Sequence, residues 1–437
     1  TKHYDKELIQ KVFTQNHVNA SIFELALIIS FLGIGFFRDI SWLNIPAGAS
    51  IFLLFTLLIM LFSVLFSWFK GWTLTFLILA IVSFNFLTNR CHLFQFRNYA
   101  YGLNYDLKPK YDHENISELQ QDKLKVENSI KENIEILTHW SQKNKGINKP
   151  KMVFINTSGG GLRSALWTVH VLNFLDSITN QRLTKQTHLI TGASGGMIGA
   201  AFYRENYKKG IYGETMVNGN EMKRRISKDL LNPLAFSIAT TDMFYRFKKH
   251  DDGKYIYTKD RGWFFEKNLI ENLNCFEGKR ILDYKLPEYY SDIPMMIFSP
   301  SVVNDGRRLL ISPQKITFLC NTDTSLFSGK IALENIEFST LFNKNDPQYL
   351  KISSAMRMNA TFPYILPMVF LPSEPKIEVM DAGLRDNLGL TTSIKYIDNF
   401  KNWIHEHTSG VVIIQLRDRE KNCLLYTSPS PRDSSQS

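Results

Sequence analysis

The residues best able to do chemistry are a serine, an aspartate and two groups of glycines. Ser194 lies in "HLITGASGGMIGA", residues 188 to 200, between Gly192 and Gly196 and just after an apolar run that reads as a strand. A G-x-S-x-G turn between strand and helix holds the serine hydroxyl out at the end of a sheet, with a helix N-terminus behind it. The same glycines also suit a plain tight turn, because glycine alone enters positive φ without a Cβ penalty. A nucleophilic serine needs two further parts, a base to take its proton and donors for the oxyanion.

Upstream, "NTSGGGLRSA" sets Gly159, Gly160 and Gly161 where a strand closes and a helix opens. Backbone N–H groups in such a turn point outward, and the helix dipole adds positive potential for an anion. Arg163 reinforces that field or pins the loop. A phosphate cradle is the competing reading, but the stretch lacks both the GK[ST] of a P-loop and the GxGxxG spacing of a dinucleotide site.

Downstream, "VMDAGLRDNLGL" places Asp381 after Val379 and Met380, with Ala382 and Gly383 keeping the turn slim. An aspartate at a strand end can approach a serine hydroxyl, and partial burial would raise its pKa toward the range of a general base. A turn aspartate bonded to loop amides fits the same residues, and Asp386 shares that ambiguity. A Ser-Asp-His order needs a histidine after the acid, and only His405 and His407 follow, in a polar stretch that reads as an exposed helix end. His188 reads as packed or hydrogen-bonded at the start of its strand. The pattern favours a Ser–Asp dyad without histidine.

These residues need a scaffold, and from Lys151 strand and helix signals alternate: "MVFIN", a glycine turn, "SALWTVHVLNFLDSI", "HLIT", a second glycine turn, then "MIGAAFYREN". That order predicts an α/β fold with parallel strands joined by helices. "IPMMIFSPSVV" and "RRLLISP" flank Asn304-Asp305-Gly306, a hairpin signal. Before this part, Ile116, Leu119, Val126, Ile130, Ile134 and Leu137 recur at helical spacing. They predict one amphipathic helix from Asn115 to Trp140, opened by an Asn115–Glu118 capping box and ended by Gly146 and Pro150. It would lie on the α/β part or on a membrane surface.

Apolar residues make up 44% of the 437-residue chain but crowd toward its start. Three stretches, Ala20 to Phe37, Ala47 to Phe69 and Trp72 to Thr88, predict about three transmembrane helices within residues 1–89. A connector then covers 90–150, an α/β domain 151–422, and a Ser/Pro-rich non-native or disordered tail 423–437. Glu24 lies inside the first stretch. Lys2, Lys6, Lys11 and Lys70 would share one face of the membrane and Arg38, Arg90, Arg97, Lys108 and Lys110 the other, which favours a cytoplasmic C-terminal portion.

A net charge of +10 suits an anionic surface. No Lys/Arg run interleaved with aromatics is present, which argues against nucleic acid as a partner. Cys91, Cys275, Cys320 and Cys423 are far apart without metal-ligand spacing, so neither a metal nor another cofactor is expected.

"SGGGLRSA", "GASGG" and "DAGLRDNLG", in that order, resemble the patatin-like phospholipase family over about Lys151 to Gln415. "SSAMRMNATFPYILP" is similar to the family segment preceding the aspartate, and "KDRGWFFEKNL" to a segment of bacterial members. The resemblance implies a three-layer α/β/α domain with a mainly parallel central sheet. It implies Ser194 as nucleophile in an elbow framed by Gly192 and Gly196, Asp381 as base, and an oxyanion loop of Gly159, Gly160, Gly161 and Arg163. The implied activity is hydrolysis of a membrane phospholipid or other lipid ester, of phospholipase A or lysophospholipase type, by a bacterial inner-membrane protein needing no metal. Transacylation with the same dyad and a non-catalytic scaffold or lipid sensor are the alternatives. Ala382 replaces a family glycine and would restrict the loop if that position needs positive φ. Ser164 stands where many relatives have glycine.

Overall fold

A computed structural model of the chain describes residues 5–37, 45–90, 98–120, 122–146, 149–242, 248–320, 333–362 and 365–419. Lys2, Arg38, Cys91, Arg97, Cys423 and the Ser/Pro-rich tail lie outside the described residues.

Three helices come first: α1 (Lys6–Phe36), α2 (Ala47–Phe69) and α3 (Thr73–Arg90). Two helical runs, Lys6–Phe36 and Ala47–Leu87, are long and apolar enough to cross a membrane. The first begins well before the apolar stretch at Ala20, because the polar residues ahead of it are good helix formers capped by Asp5, whose side chain accepts the Glu7 N–H at 3.2 Å. The second changes direction at Lys70–Trp72. There the Thr73 hydroxyl lies 3.4 Å from the Leu65 carbonyl and the Phe69 and Phe76 rings stack at 4.1 Å. A straight helix rising 1.5 Å per residue cannot make those contacts across seven or eight positions.

The single helix expected from Asn115 to Trp140 is two helices, α4 (His113–Gln120) and α5 (Lys123–Lys143). The predicted cap is also misplaced. Asn115 lies inside the first turn of α4 and donates its N–H to Asp112 at 2.8 Å, while Asp122 caps α5 by accepting the N–H groups of Leu124 at 3.0 Å and Lys125 at 3.4 Å. Both helices pack on the α/β part, where Ile116, Ile136, Leu137 and Trp140 are buried.

The strands are β1 (Met152–Thr157), β2 (Thr187–Gly192), β3 (Lys249–Asp251), β4 (Ile256–Thr258), β5 (Met295–Phe298), β6 (Ser301–Val302), β7 (Arg308–Leu310), β8 (Asn335–Glu337), β9 (Val369–Leu371), β10 (Ile377–Met380) and β11 (Val411–Leu416). A four-stranded parallel sheet runs β11-β1-β2-β5 and a five-stranded sheet β8-β7-β6-β10-β9. The second sheet is antiparallel except for β7 with β8, and a bridge between Phe298 and Ile311 links the two. The parallel arrangement therefore holds for the half that carries Ser194, while Asp381 follows an antiparallel strand. The hairpin at Asn304-Asp305-Gly306 joins β6 to β7, with Gly306 at φ +73°.

Side chains alternate across β1. Val153 and Ile155 enter a core with Val169 of the helix α6 (Gly161–Ile178) and Met197 of the helix α7 (Ser194–Ile211). Met152 and Phe154 face Trp140 of α5 and Tyr396 and Phe400 on the opposite side. Two buried faces on one sheet make the three α/β/α layers. Each large apolar side chain buried there contributes roughly 1.5–3 kcal/mol.

Candidate active site

Because β1 and β2 are adjacent and parallel, with Thr157 opposite Gly192, the two glycine turns that follow them lie side by side. Close approach explains the elbow glycines. A Cβ on Gly192 would overlap the Thr157 carbonyl, one on Gly195 the Gly161 carbonyl, and one on Gly196 the Ser158 carbonyl. Ser194, between them, takes φ +50° at the first residue of α7, a strained conformation for a side chain with a Cβ. Its side chain is half-buried and near enough to Asp381 to temper the rise that burial gives that carboxyl's pKa.

Asp381 follows β10 and is itself buried, which raises its pKa above the ordinary carboxylate value. The Ser194 hydroxyl and the Gly383 N–H, at 2.7 Å, partly offset that rise. Ala382 has φ −61° and ψ −27°, an ordinary right-handed conformation, so alanine imposes no restriction there. The demanding position is Gly383, where a Cβ would lie 2.9 Å from Asp381 Oδ1 and 3.0 Å from Asn387 Oδ1. Asp386 points elsewhere. It accepts from Arg308 at 3.1 Å and from the Leu390 and Thr391 N–H groups at 3.0 and 2.9 Å, so it anchors the following helix.

Gly160 and Gly161 are exposed at the start of α6, at φ +150° and +61°. N–H groups in a first helical turn have no intrahelical acceptor, so these two can receive an anion. Gly159 differs, for its N–H donates to Asn387 Oδ1 at 2.9 Å. Arg163 donates to Asp418 through Nε at 3.0 Å and Nη2 at 2.7 Å, pinning the loop to the chain just after β11. The Ser164 hydroxyl donates to the Ser158 carbonyl at 2.6 Å and fastens the same turn from inside.

Two site residues escaped the sequence reading. Asn387 is one; Asn359, in the buried helix α10 (Ile352–Ala360), which follows α8 (Asn232–Ser237) and α9 (Arg261–Leu273), is the other. Asn359 donates to the Gly192 carbonyl at 3.1 Å and accepts the Ser299 N–H at 2.8 Å, and its own carbonyl accepts the Ala382 N–H at 3.3 Å. It therefore ties the serine turn to the aspartate turn. The available signal was the place of Asn387 beside the D-A-G motif and of Asn359 in the small-residue segment that precedes it. "KDRGWFFEKNL" supports this helix from behind: Glu266 accepts from Arg357 at 2.7 Å, Ser353 at 2.6 Å and Ser354 at 2.8 Å.

The histidines stand apart. His188 is buried against the Tyr396 hydroxyl at 2.8 Å, and burial, helped by the nearby Lys143 charge, holds its pKa down to about 3. His405 and His407 are exposed. Cys275 and Cys320 are free thiols, and no group of three potential metal ligands occurs among the described residues.

A serine elbow beside a buried carboxylate, next to exposed glycines at a helix start, has the parts that acyl transfer requires. No curated protein matches the chain. The family model for patatin-like phospholipases matches residues 157–393, more than half of the sequence and all of the turns just described. With the α/β/α layers and a glycine elbow between β2 and α7 in the same span, the chain belongs to the patatin-like phospholipase family.

Proposed function

We propose that the chain is a membrane-anchored serine hydrolase of lipid acyl esters. Ser194 Oγ attacks the ester carbonyl and Asp381 takes its proton, while the Gly160 and Gly161 amides receive the tetrahedral oxyanion. Asp381 then returns the proton to the departing alcohol. Water, deprotonated by the same carboxylate, releases the fatty acid from the acyl-serine. Gly159 and Arg163 hold the loop through Asn387 and Asp418. The observation that carries this reading is that the turn of a buried Asp381 lies against the serine elbow, for a Cβ on Gly383 would sit 2.9 Å from Asp381 Oδ1 and 3.8 Å from the Ala193 Cβ.

Residues 1–89 form the membrane region in this reading, 90–150 lead into the folded part, and 151–422 form the hydrolase domain. The apolar runs Lys6–Phe36 and Ala47–Leu87 support the anchoring. The basic residues flanking them favour a cytoplasmic domain on an inner membrane. Anchoring raises the local concentration of lipid at the site without altering the chemistry.

The test is fatty-acid release from mixed phospholipid and neutral-lipid vesicles by the reconstituted protein, with chelator present. We expect release by the parent and a loss of roughly 10³-fold or more in Ser194→Ala and Asp381→Asn. No release, together with no labelling of Ser194 by a fluorophosphonate, would favour the scaffold reading instead.

A further inference from the structure

Resting on the membrane-anchored reading above, a second surface belongs to the bilayer. Among the described residues, the end of α1 and the start of α2 touch the α/β part. The N–H of Ala47, the first residue of α2, donates to Asn232 Oδ1 of α8 at 2.7 Å. At the end of α1, the Lys248 ammonium donates to the Phe36 carbonyl and sits 4.3 Å from the Phe36 ring centre. These contacts fix the level at which the helices leave the hydrocarbon.

From that level a short path of bonds leads to the proposed site. Lys259 donates its N–H to the Lys248 carbonyl at 2.8 Å, closing the β3–β4 hairpin at its base. Two residues on, Arg261 donates through Nη1 to the Ile365 carbonyl at 3.4 Å. Ile365 lies in the segment after Thr361, whose carbonyl accepts the Asp381 N–H at 2.8 Å. Three of its apolar side chains are turned outward, Phe362 at 57% exposed, Ile365 at 45% and Met368 at 37%, while Leu366 is buried. Leu384, beside Gly383 on the other flank of Asp381, is 54% exposed.

Large apolar side chains this exposed, on the two chain segments that flank Asp381, are unfavourable in water and favourable in an acyl-chain boundary. Basic residues lie along the same path at Lys248, Lys249, Lys259 and Arg261, where lipid phosphates would meet them; the acidic Asp251 and Asp252 stand at the far tip of the hairpin. The continuity with the docked ends of α1 and α2 selects the occupant.

We infer that Phe362, Ile365, Met368 and Leu384 are seated in the interface of an anionic phospholipid bilayer, so that a lipid ester reaches Ser194 without leaving the membrane.

The full chain, reconstituted in vesicles of equal parts phosphatidylcholine and phosphatidylglycerol with brominated acyl chains, tests this in two ways. Ile365→Trp should add tryptophan fluorescence that the bromines quench beyond the parent's own quenching; added fluorescence that stays unquenched overturns the seat. In Phe362→Asp/Ile365→Asp, the ratio of vesicle-lipid turnover to turnover of soluble nitrophenyl butyrate should fall at least about tenfold; an unchanged ratio overturns it. If neither ester is turned over in a Ser194-dependent way, the hydrolase reading fails, and the quenching result still decides the seat.

Discussion

Asn387 accepts the Gly159 N–H at 2.9 Å, so the loop that opens α6 is held by a residue six positions beyond Asp381. One bond thereby sets the spacing between the outward amides and the carboxylate. Asn387→Ala should lower kcat about tenfold or more with a smaller effect on KM, because misplaced oxyanion donors act on the transition state. Steady-state kinetics with a soluble ester and fluorophosphonate labelling rates will check this; a change confined to KM would contradict it.

The D-A-G turn makes opposite demands on its two small residues. Ala382→Gly should retain activity and cost roughly 0.5–1 kcal/mol of stability, since a right-handed residue gains only backbone freedom from glycine. Gly383→Ala should abolish activity, because its Cβ would press on both Asp381 and Asn387. Activity assays and thermal melts on the two variants separate these outcomes.

Burial raises the Asp381 pKa, and the sign of the consequences follows. The base works when ionised, so activity should fall as pH drops through a midpoint above the ordinary aspartate value. For stability, a raised folded-state pKa means that the ionised form is disfavoured on folding. Asp381→Asn should therefore stabilise the protein near neutral pH, and the gain should vanish once pH is below the unfolded-state pKa. A pH–rate profile and melts at several pH values measure both.

His188 has the opposite sign pattern. It is held neutral in the fold, with a pKa of about 3 against an ordinary 6.5, so unfolding takes up a proton between those values. Stability should fall as pH drops from about 6.5 toward 3, on the order of 1.4 kcal/mol per unit. His188→Gln, which can still meet the Tyr396 hydroxyl, should flatten that slope in denaturant titrations.

Glu266 is buried under three donors, with Arg357 the charged one. Glu266→Ala leaves an unpaired guanidinium in the core and should cost about 3–5 kcal/mol. Because α10 carries Asn359, Ser194 labelling should slow in the folded fraction as well.

Local pattern made much of this legible. The alternation of "MVFIN" and "HLIT" with helical runs identified β1, α6, β2 and α7, and the glycines marked their turns, because strand period and glycine conformation are properties of a few neighbouring residues. The break between α4 and α5 was hidden, since apolar positions on both helices keep one apparent period across it while Asp122 caps a new start. The conformation of Ala382 was also beyond reach: D-A-G fits a turn of either hand, and the right-handed one goes with the bond from its N–H to the carbonyl of Asn359, 23 positions away in the chain.

The sequence by itself determined that Ser194 and the Gly159–Gly161 loop would stand together, since two adjacent strands and their own turns suffice to bring them there. Only the tertiary structure decided that Asp381, arriving from an antiparallel sheet, meets the serine while buried. It also decided that the Gly159 amide holds the loop through Asn387 while Gly160 and Gly161 face outward. Desolvation and hydrogen-bond partners depend on chain segments far apart in sequence, and no short-range pattern encodes which of them will meet.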